Sequence, residues 1–301
     1  MKAKNAIRQI SLPAPAKVNL FLAVTGKRLD GFHEINSVIT KIDLCDQVTL
    51  EKTEQIDEVQ CHCTGSHFLS GKNNLAYQAI VEWRKFTGDR TGMKLTIEKR
   101  VPSMAGLGGG SSDAVATLLA LNLYHGQPFS NEELLVPAAN IGSDCPFFLT
   151  DGLAHVTGRG EKIRSIVDDE KNQLNGQRIF LFQPPMGFST HSIYQILAQQ
   201  ESYSDPKWAK EVVNEWEGGE RSISKFLYND FESVILNKFL FIKPLFDKLK
   251  NYFGLSFQVS GSGSCCFSFA DNNLNPKEVK DLIESSLGAE SRFWATRIRL
   301  N

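Results

Sequence analysis

An α+β fold in two domains is what this 301-residue sequence predicts. The length is near twice the roughly 150 residues of an average domain. Strand patterns come before helical ones, without a regular β-α-β rhythm. A charged, turn-rich stretch at 160–177 marks a boundary, giving domains of 1–165 and 166–301. Residues 15–24 alternate, with Val18, Leu20 and Leu22 on one face and Lys17, Asn19 and Phe21 on the other. That predicts a half-buried strand with a polar pair on its open face. Further strands are expected at 36–42, 47–52 and 94–100. Leu75, Ala79, Ile80 and Trp83 give 75–87 a helical spacing, and 111–124 and 131–140 are predicted helical too. The last begins at Ser130 or Asn131, with acids in its first turn. Beyond the boundary come an apolar strand at 178–184, helical patterns at 190–199, 206–216 and 239–251, a strand pair around 255–270, a helix at 276–287 and a strand at 293–300. The 200–230 stretch reads as a surface helix plus loop. No internal repeat or low-complexity segment is present.

Composition narrows the function. Hydrophobic residues make up 42% and charged residues 22%, an ordinary globular balance that excludes wholesale disorder. Lys and Arg number 33 against 34 Asp and Glu, so binding nucleic acid through bulk charge is excluded, while a local basic cleft for a small anion is not. No apolar run approaches the ~20 residues that cross a bilayer. The basic start, MKAKNAIRQ, lacks the apolar core of a secretory signal, so the expected location is the cytoplasm. Six cysteines without a C-x-x-C pair agree with a reducing compartment. Cys61-His62-Cys63 has no second half of a zinc site at usable spacing and reads as thiols.

The most informative segment is VPSMAGLGGGSSDAVATLLALNLY, residues 101–124. Gly106, Gly108, Gly109 and Gly110 precede Ser111 and Ser112, and a helix follows at once. Glycines let backbone N–H groups approach a ligand, and the helix start adds unpaired donors and the positive end of its dipole. This is a phosphate cradle. Ser111 and Ser112 can cap the helix, donate to phosphate oxygens or help hold a metal ion. The spacing is not that of the Walker A loop, which needs a lysine after the glycines, nor G-x-G-x-x-G. A second run, Ser260-Gly261-Ser262-Gly263-Ser264, joins two expected strands and is either a hairpin turn or a second ligand loop. Two residue types suit phosphoryl chemistry. Lys17 can neutralise a transferring phosphoryl group, and Asp144 can accept a hydroxyl proton. Taken alone, Lys17 also reads as an exposed strand lysine and Asp144 as an N-cap two residues before Pro146.

The segments PAKVNLFL, VTGKRLDGFH, GLGGGSSDA, GSDCPFFL and SGSGSCCF follow one another between Pro13 and Ala270. Together they resemble the GHMP kinase superfamily, and PAKVNLFL with DGFHE resembles its cytidine-diphosphate branch. The resemblance implies a two-domain α+β GHMP kinase fold with the active site in the cleft between domains. It implies ATP-dependent phosphorylation of the 2-hydroxyl of a cytidine-diphosphate-linked methylerythritol, with ATP and Mg²⁺, no nucleic-acid or membrane partner, and a monomer or weak dimer. Lys17 and Asp144 are then the catalytic pair, Asp144 the base and Lys17 the group that keeps it ionised. Asn19 and His33 would hold the substrate, with Gly261 and Gly263 beside it. Phe32 and Tyr194 would stack on the two cytosine faces, Phe32 standing where many members have tyrosine. Pro102, Met104, Ala105, Gly106, Leu107, Gly108, Gly109, Gly110, Ser111 and Ser112 would bind ATP, with Asn74 near the nucleotide. The superfamily's Mg²⁺ carboxylate is not identifiable by spacing. A homoserine- or mevalonate-type kinase would share the loop but not the cytidine pocket. A non-catalytic nucleotide sensor would lose Lys17 and Asp144, which are both present here.

Overall fold

In the computed structural model, which describes residues 9–65, 70–167, 173–219 and 222–300, the chain opens on two long strands, β1 (Gln9–Lys27) and β2 (His33–Lys52). The amino-terminal residues 1–8 and residues 168–172 of the charged stretch lie outside the described residues. The chain divides into two compact units. One takes in residues up to Ala16 with Leu44–Pro102 and Gly108–Thr150; the other takes in Lys17–Asp43, Ser103–Leu107 and everything from Asp151. The chain therefore passes between units several times, and the expected boundary at 165 falls inside the second. The separate strands expected at 36–42 and 47–52 are both parts of β2.

In the first unit, β3 (Val59–Thr64) pairs parallel with β4 (Met93–Glu98), and β4 pairs antiparallel with Gln47–Lys52 of β2. Met93, Leu95 and Ile97 alternate into the core. Cys61 and Cys63 point inward from β3 and His62 outward. Helix α1 (Leu75–Thr87) starts where Asn74 Oδ1 accepts from Ala76 N at 2.8 Å and stops at left-handed Gly88. Helix α2 (Gly109–Tyr124) is buried on nearly every side, as its continuous apolar run demands. Helix α3 (Asn131–Ile141) opens on a capping box between Ser130 and Glu133.

The second unit has two sheet regions. Ile35–Thr40 of β2 pairs antiparallel with β5 (Leu153–Gly158), which pairs with β6 (Lys162–Ser165). An antiparallel sheet is built from β7 (Arg178–Gln183), β9 (Gln258–Val259), β10 (Cys266–Phe269) and β11 (Arg292–Arg297) in the order β11-β7-β10-β9. Between β7 and β9 lie α4 (Thr190–Gln199), α5 (Pro206–Glu217), α6 (Ile223–Phe226), β8 (Tyr228–Asn229), α7 (Asp230–Lys238) and α8 (Ile242–Phe253); α9 (Pro276–Leu287) precedes β11. Phe180 and Phe182 of the sheet pack with Ile193, Ile235, Leu249 and Ile283 of the helices.

Three expectations are corrected here. The Lys17–Asn19–Phe21 face of β1 is buried, because Phe21 stacks on Phe226 at 5.4 Å with Trp208 and Tyr228 beside it. The 200–230 stretch is packed: α5 buries Val212, Val213 and Trp216, and Trp216 stacks on Phe226 at 4.4 Å. The helix expected at 239–251 is α8, which starts only at Ile242, after the Phe239 ring lies flat on Phe188 at 4.0 Å, and α7 before it was not expected.

Candidate active site

The first unit holds the glycine-rich helix start and Asp144. Helix α2 is entered through Gly108, whose φ of +66° lies in the left-handed region, and no side chain caps it. The N–H groups of its first turn thus face outward without a side-chain acceptor. Ser111 and Ser112, expected as caps, lie inside that turn. Ser112 Oγ is buried with no hydrogen-bond partner. Gly109 is required by close approach, since a Cβ there would stand 2.9 Å from Val101 Cγ1. At Gly110 a Cβ would meet Leu75 at 3.5 Å, which places the Asn74 cap of α1 beside the loop.

Asp144 occupies the N-cap position of a 3-10 turn, Cys145–Leu149, but its side chain makes no capping hydrogen bond. The turn is buried while Asp144 is exposed. Burial pushes the neighbouring Cys145 thiol up to about 12, against a hydrogen bond with Ser111 and with the charge of Asp144 adding. That contact ties the turn carrying Asp144 to the start of α2.

The second unit holds Lys17. Its ammonium, almost wholly buried, donates to Asn19 Oδ1 at 2.6 Å; Asn19 Nδ2 donates to Ser37 Oγ at 2.9 Å; Ser37 Oγ donates to the Phe21 carbonyl at 2.6 Å. The chain of bonds fixes the asparagine amide and hence the ammonium. Loop residues 103–107 fold onto this array. Lys17 N donates to the Leu107 carbonyl at 3.0 Å, and Cys265 N to the Ala105 carbonyl at 3.1 Å. At Gly106 a Cβ would stand 2.1 Å from the Ser260 carbonyl oxygen. Met104 is exposed, its Cβ beside Gly187, and Pro102 is buried in the other unit.

The second glycine-serine run joins β9 to the antiparallel β10, so it is a hairpin connection, yet it also lies over Lys17. Gly261 has φ +55°, and a Cβ there would sit 3.3 Å from Asn19 Oδ1 and 3.4 Å from Lys17 Nζ. At Gly263 a Cβ would meet the Phe188 ring at 2.6 Å. Asn229 pins the run by donating to the Val259 and Gly261 carbonyls at 2.8 and 2.9 Å.

In the same unit, the His33 ring lies 4.8 Å from Tyr194, which meets Phe231 edge-on at 4.6 Å. His33 Nε2 is buried without a partner. Burial and the charge of Lys27 lower the His33 pKa, so the ring is neutral at pH 7 and can donate or accept. Phe32 is 48% exposed, with the Arg159 guanidinium 5.0 Å above its ring.

Sequence reasoning missed Ser37, Asn229 and a buried cluster of Asp46, Lys99 and Asp113. Only Asp113 left a trace, as the lone acid in the apolar run of α2. Among the described residues no three His, Cys, Asp or Glu side chains gather as metal ligands, and no helix is long and apolar enough to cross a membrane.

An uncapped glycine-entered helix and a buried lysine held by an asparagine amide suit the handling of phosphate esters, and residues 74–152 match the GHMP kinases N terminal domain. The homoserine kinase from Cytophaga hutchinsonii superposes with a TM-score of 0.76 over 100% of this chain and 98% of its own, at 14% identity, a likeness of fold. The chain is 34% identical over 294 residues to the 4-diphosphocytidyl-2-C-methyl-D-erythritol kinase of Protochlamydia amoebophila (strain UWE25), covering 96% of this chain and 94% of that protein. A crystal structure of 4-(cytidine 5'-diphospho)-2C-methyl-D-erythritol kinase superposes with a TM-score of 0.75 at 29% identity, covering 96% and 99%. The chain belongs to the 4-diphosphocytidyl-2-C-methyl-D-erythritol kinase family.

Proposed function

We propose that the chain transfers the γ-phosphoryl group of ATP to the 2-hydroxyl of 4-diphosphocytidyl-2-C-methyl-D-erythritol, a step in making isoprenoid precursors. The observation that carries this reading is the likeness to proteins of that name along nearly the full chain, where homoserine and mevalonate kinases share the fold at 14% and 16% identity. The outward N–H groups of Gly109 to Ser111 take phosphate oxygens. The exposed carboxylate of Asp144 accepts the hydroxyl proton as the oxygen attacks phosphorus and the bond to the β-phosphate oxygen breaks, releasing ADP. The Lys17 ammonium balances charge on the transferring group. His33 offers a neutral ring nitrogen to a cytosine edge, and the exposed Phe32 offers a flat π-face.

The chain also fits Mg²⁺, which keeps waters and phosphate oxygens as most of its ligands and asks little of the protein. Ser112 Oγ, buried and unpartnered beside the phosphate cradle, is an oxygen of the required kind. When bound, the ion would neutralise charge on the β- and γ-phosphates. The six free cysteines support a reducing, cytoplasmic setting.

The test is ADP release from ATP with a panel of alcohols: the cytidine-diphosphate substrate, homoserine and mevalonate. Turnover of the first alone is expected, and turnover of either other in its place overturns the reading. Two substitutions separate the subsites. Gly109→Val drives a side chain into Val101 and is expected to weaken ATP binding by about 10-fold or more, with the cytidine substrate still bound. Calorimetry on the folded variant checks this. Phe32→Ala is expected to raise KM for the cytidine substrate by roughly 5- to 150-fold, the equivalent of about 1–3 kcal/mol of stacking. KM for ATP should stay fixed and Phe32→Tyr should be near neutral. Because Phe32 is half exposed, a large drop in Tm with unchanged KM would remove it from the site.

A further inference from the structure

We infer that Asp46, Lys99 and Asp113 are positioning residues that set the start of α2 for the nucleotide phosphates. The inference rests on reading the glycine loop as the ATP site. It begins where the ladder between β2 and β4 stops. Gln47 is paired with Glu98; Asp46 and Lys99 are the next residues along each strand. There the Asp46 side chain takes over from the backbone. Its Oδ1 accepts from Arg100 N at 2.5 Å and Val101 N at 2.8 Å, and its Oδ2 accepts from the Lys99 ammonium. Residues 99–101 are thereby held as an extension of the sheet.

Helix α2 rests on that extension. The missing Cβ of Gly109 faces Val101 Cγ1 at 2.9 Å and Lys99 Nζ at 3.4 Å. Lys99 then donates to Asp113 Oδ2 at 2.8 Å, inside the first turns of the helix. The path from sheet to helix start thus runs Asp46, Lys99, Asp113, with no exposed link carrying weight: Asp46 is 1% and Asp113 2% exposed. A shift of this anchor moves the N–H groups that face the phosphates.

The cluster is a poor way to gain stability. Two carboxylates share one ammonium away from water, and Asp113 Oδ1 has no hydrogen-bond partner. Burial pushes the Asp113 carboxyl up to about 7, the Lys99 charge opposing and the Asp46 charge adding. The other groups facing it are the Cys61 and Cys63 thiols of β3, both raised by burial and neutral at pH 7. An apolar trio of similar volume would cost less, and its retention fits a geometric duty better than a stabilising one.

The test uses the full chain, with binding of adenylyl imidodiphosphate and Mg²⁺ followed by calorimetry and kinetics followed for both substrates. Asp46→Asn keeps an acceptor for the backbone but loses the charge facing Lys99. It is expected to raise Kd and KM for the nucleotide about 10-fold, with KM for the cytidine substrate unchanged and kcat at saturating ATP nearly kept. Asp113→Ala guards against a folding defect in the first variant, because it removes the costly carboxylate. Asp113 binds its proton more tightly folded than unfolded, so its own contribution to stability falls as pH rises from about 4 to 7, and Asp113→Ala should lose that component of the pH dependence relative to wild type. It should therefore be more stable than wild type at pH 8 and yet bind the nucleotide several-fold more weakly, a combination that mere structural support does not produce. Unchanged or tighter nucleotide binding in either folded variant overturns the inference. A wild-type chain that does not bind the nucleotide at all overturns the underlying reading of the loop instead.

Discussion

Asp144→Asn is expected to lower kcat by roughly 10²-fold or more while KM for both substrates and the Tm stay close to wild type. The structure sharpens this because it separates the two roles a residue at this position can have. Asp144 stands at the N-cap of the Cys145–Leu149 turn with φ −82° and ψ −15°, helical values rather than the extended ones of a side-chain cap, and its carboxylate makes no capping bond. The turn is held by Cys145, Phe147 and Phe148, which are buried, and by the Ser111 contact to Cys145. Asparagine thus keeps everything the fold uses and loses only the ability to take a proton. Near-normal kcat in this variant would sink the assignment of the base. A fall in Tm with kcat preserved would show that Asp144 supports the turn after all.

What the sequence revealed follows from how far apart the interacting residues lie along the chain. Helix α1 was legible to the residue, because its apolar spacing and the Gly88 stop are local. So was the opening of α3 at Ser130, for the same reason. Lys17 and Asn19 could be placed on one face, two residues apart on a strand. Their environment could not, since Ser37, Gly106 and Gly261 come from separate segments. The hidden face of β1 was misread as open because its cover, Phe226 with Trp208, lies some two hundred residues on. Helix α7 left no reading of its own, and the start of α8 was placed three residues early because apolar Phe239 and Phe241 lead into its spacing before the chain turns helical at Ile242. Asp46, Lys99 and Asp113 come from three separate segments, and only the folded chain makes them a group.

Lys17→Met is expected to lower kcat by about 10²–10³-fold, the range seen when one preorganised charge-stabilising donor is removed. Methionine has nearly the length of lysine and no charge, so the cavity under Gly261 stays filled. Its effect on stability should be small, from two opposing changes. Removing a buried ammonium relieves desolvation. Leaving Asn19 Oδ1 without the bond it accepts at 2.6 Å costs some of that back. Activity should thus collapse in a protein that melts where the wild type does. Lys17→Arg should not rescue it. A planar guanidinium spreads its charge over a fork and cannot reproduce the single ammonium position that Asn19 Oδ1 fixes at 2.6 Å. Asn19→Leu keeps the charge but frees it from the amide that Ser37 orients, and a smaller loss in kcat with intact ATP binding is expected. This ordering, Met and Arg both severe and Leu at 19 milder, separates a charge held in one place from a charge that only needs to be present. Arginine working as well as lysine would show that position does not matter, and activity within a few-fold of wild type in Lys17→Met would remove Lys17 from the chemistry.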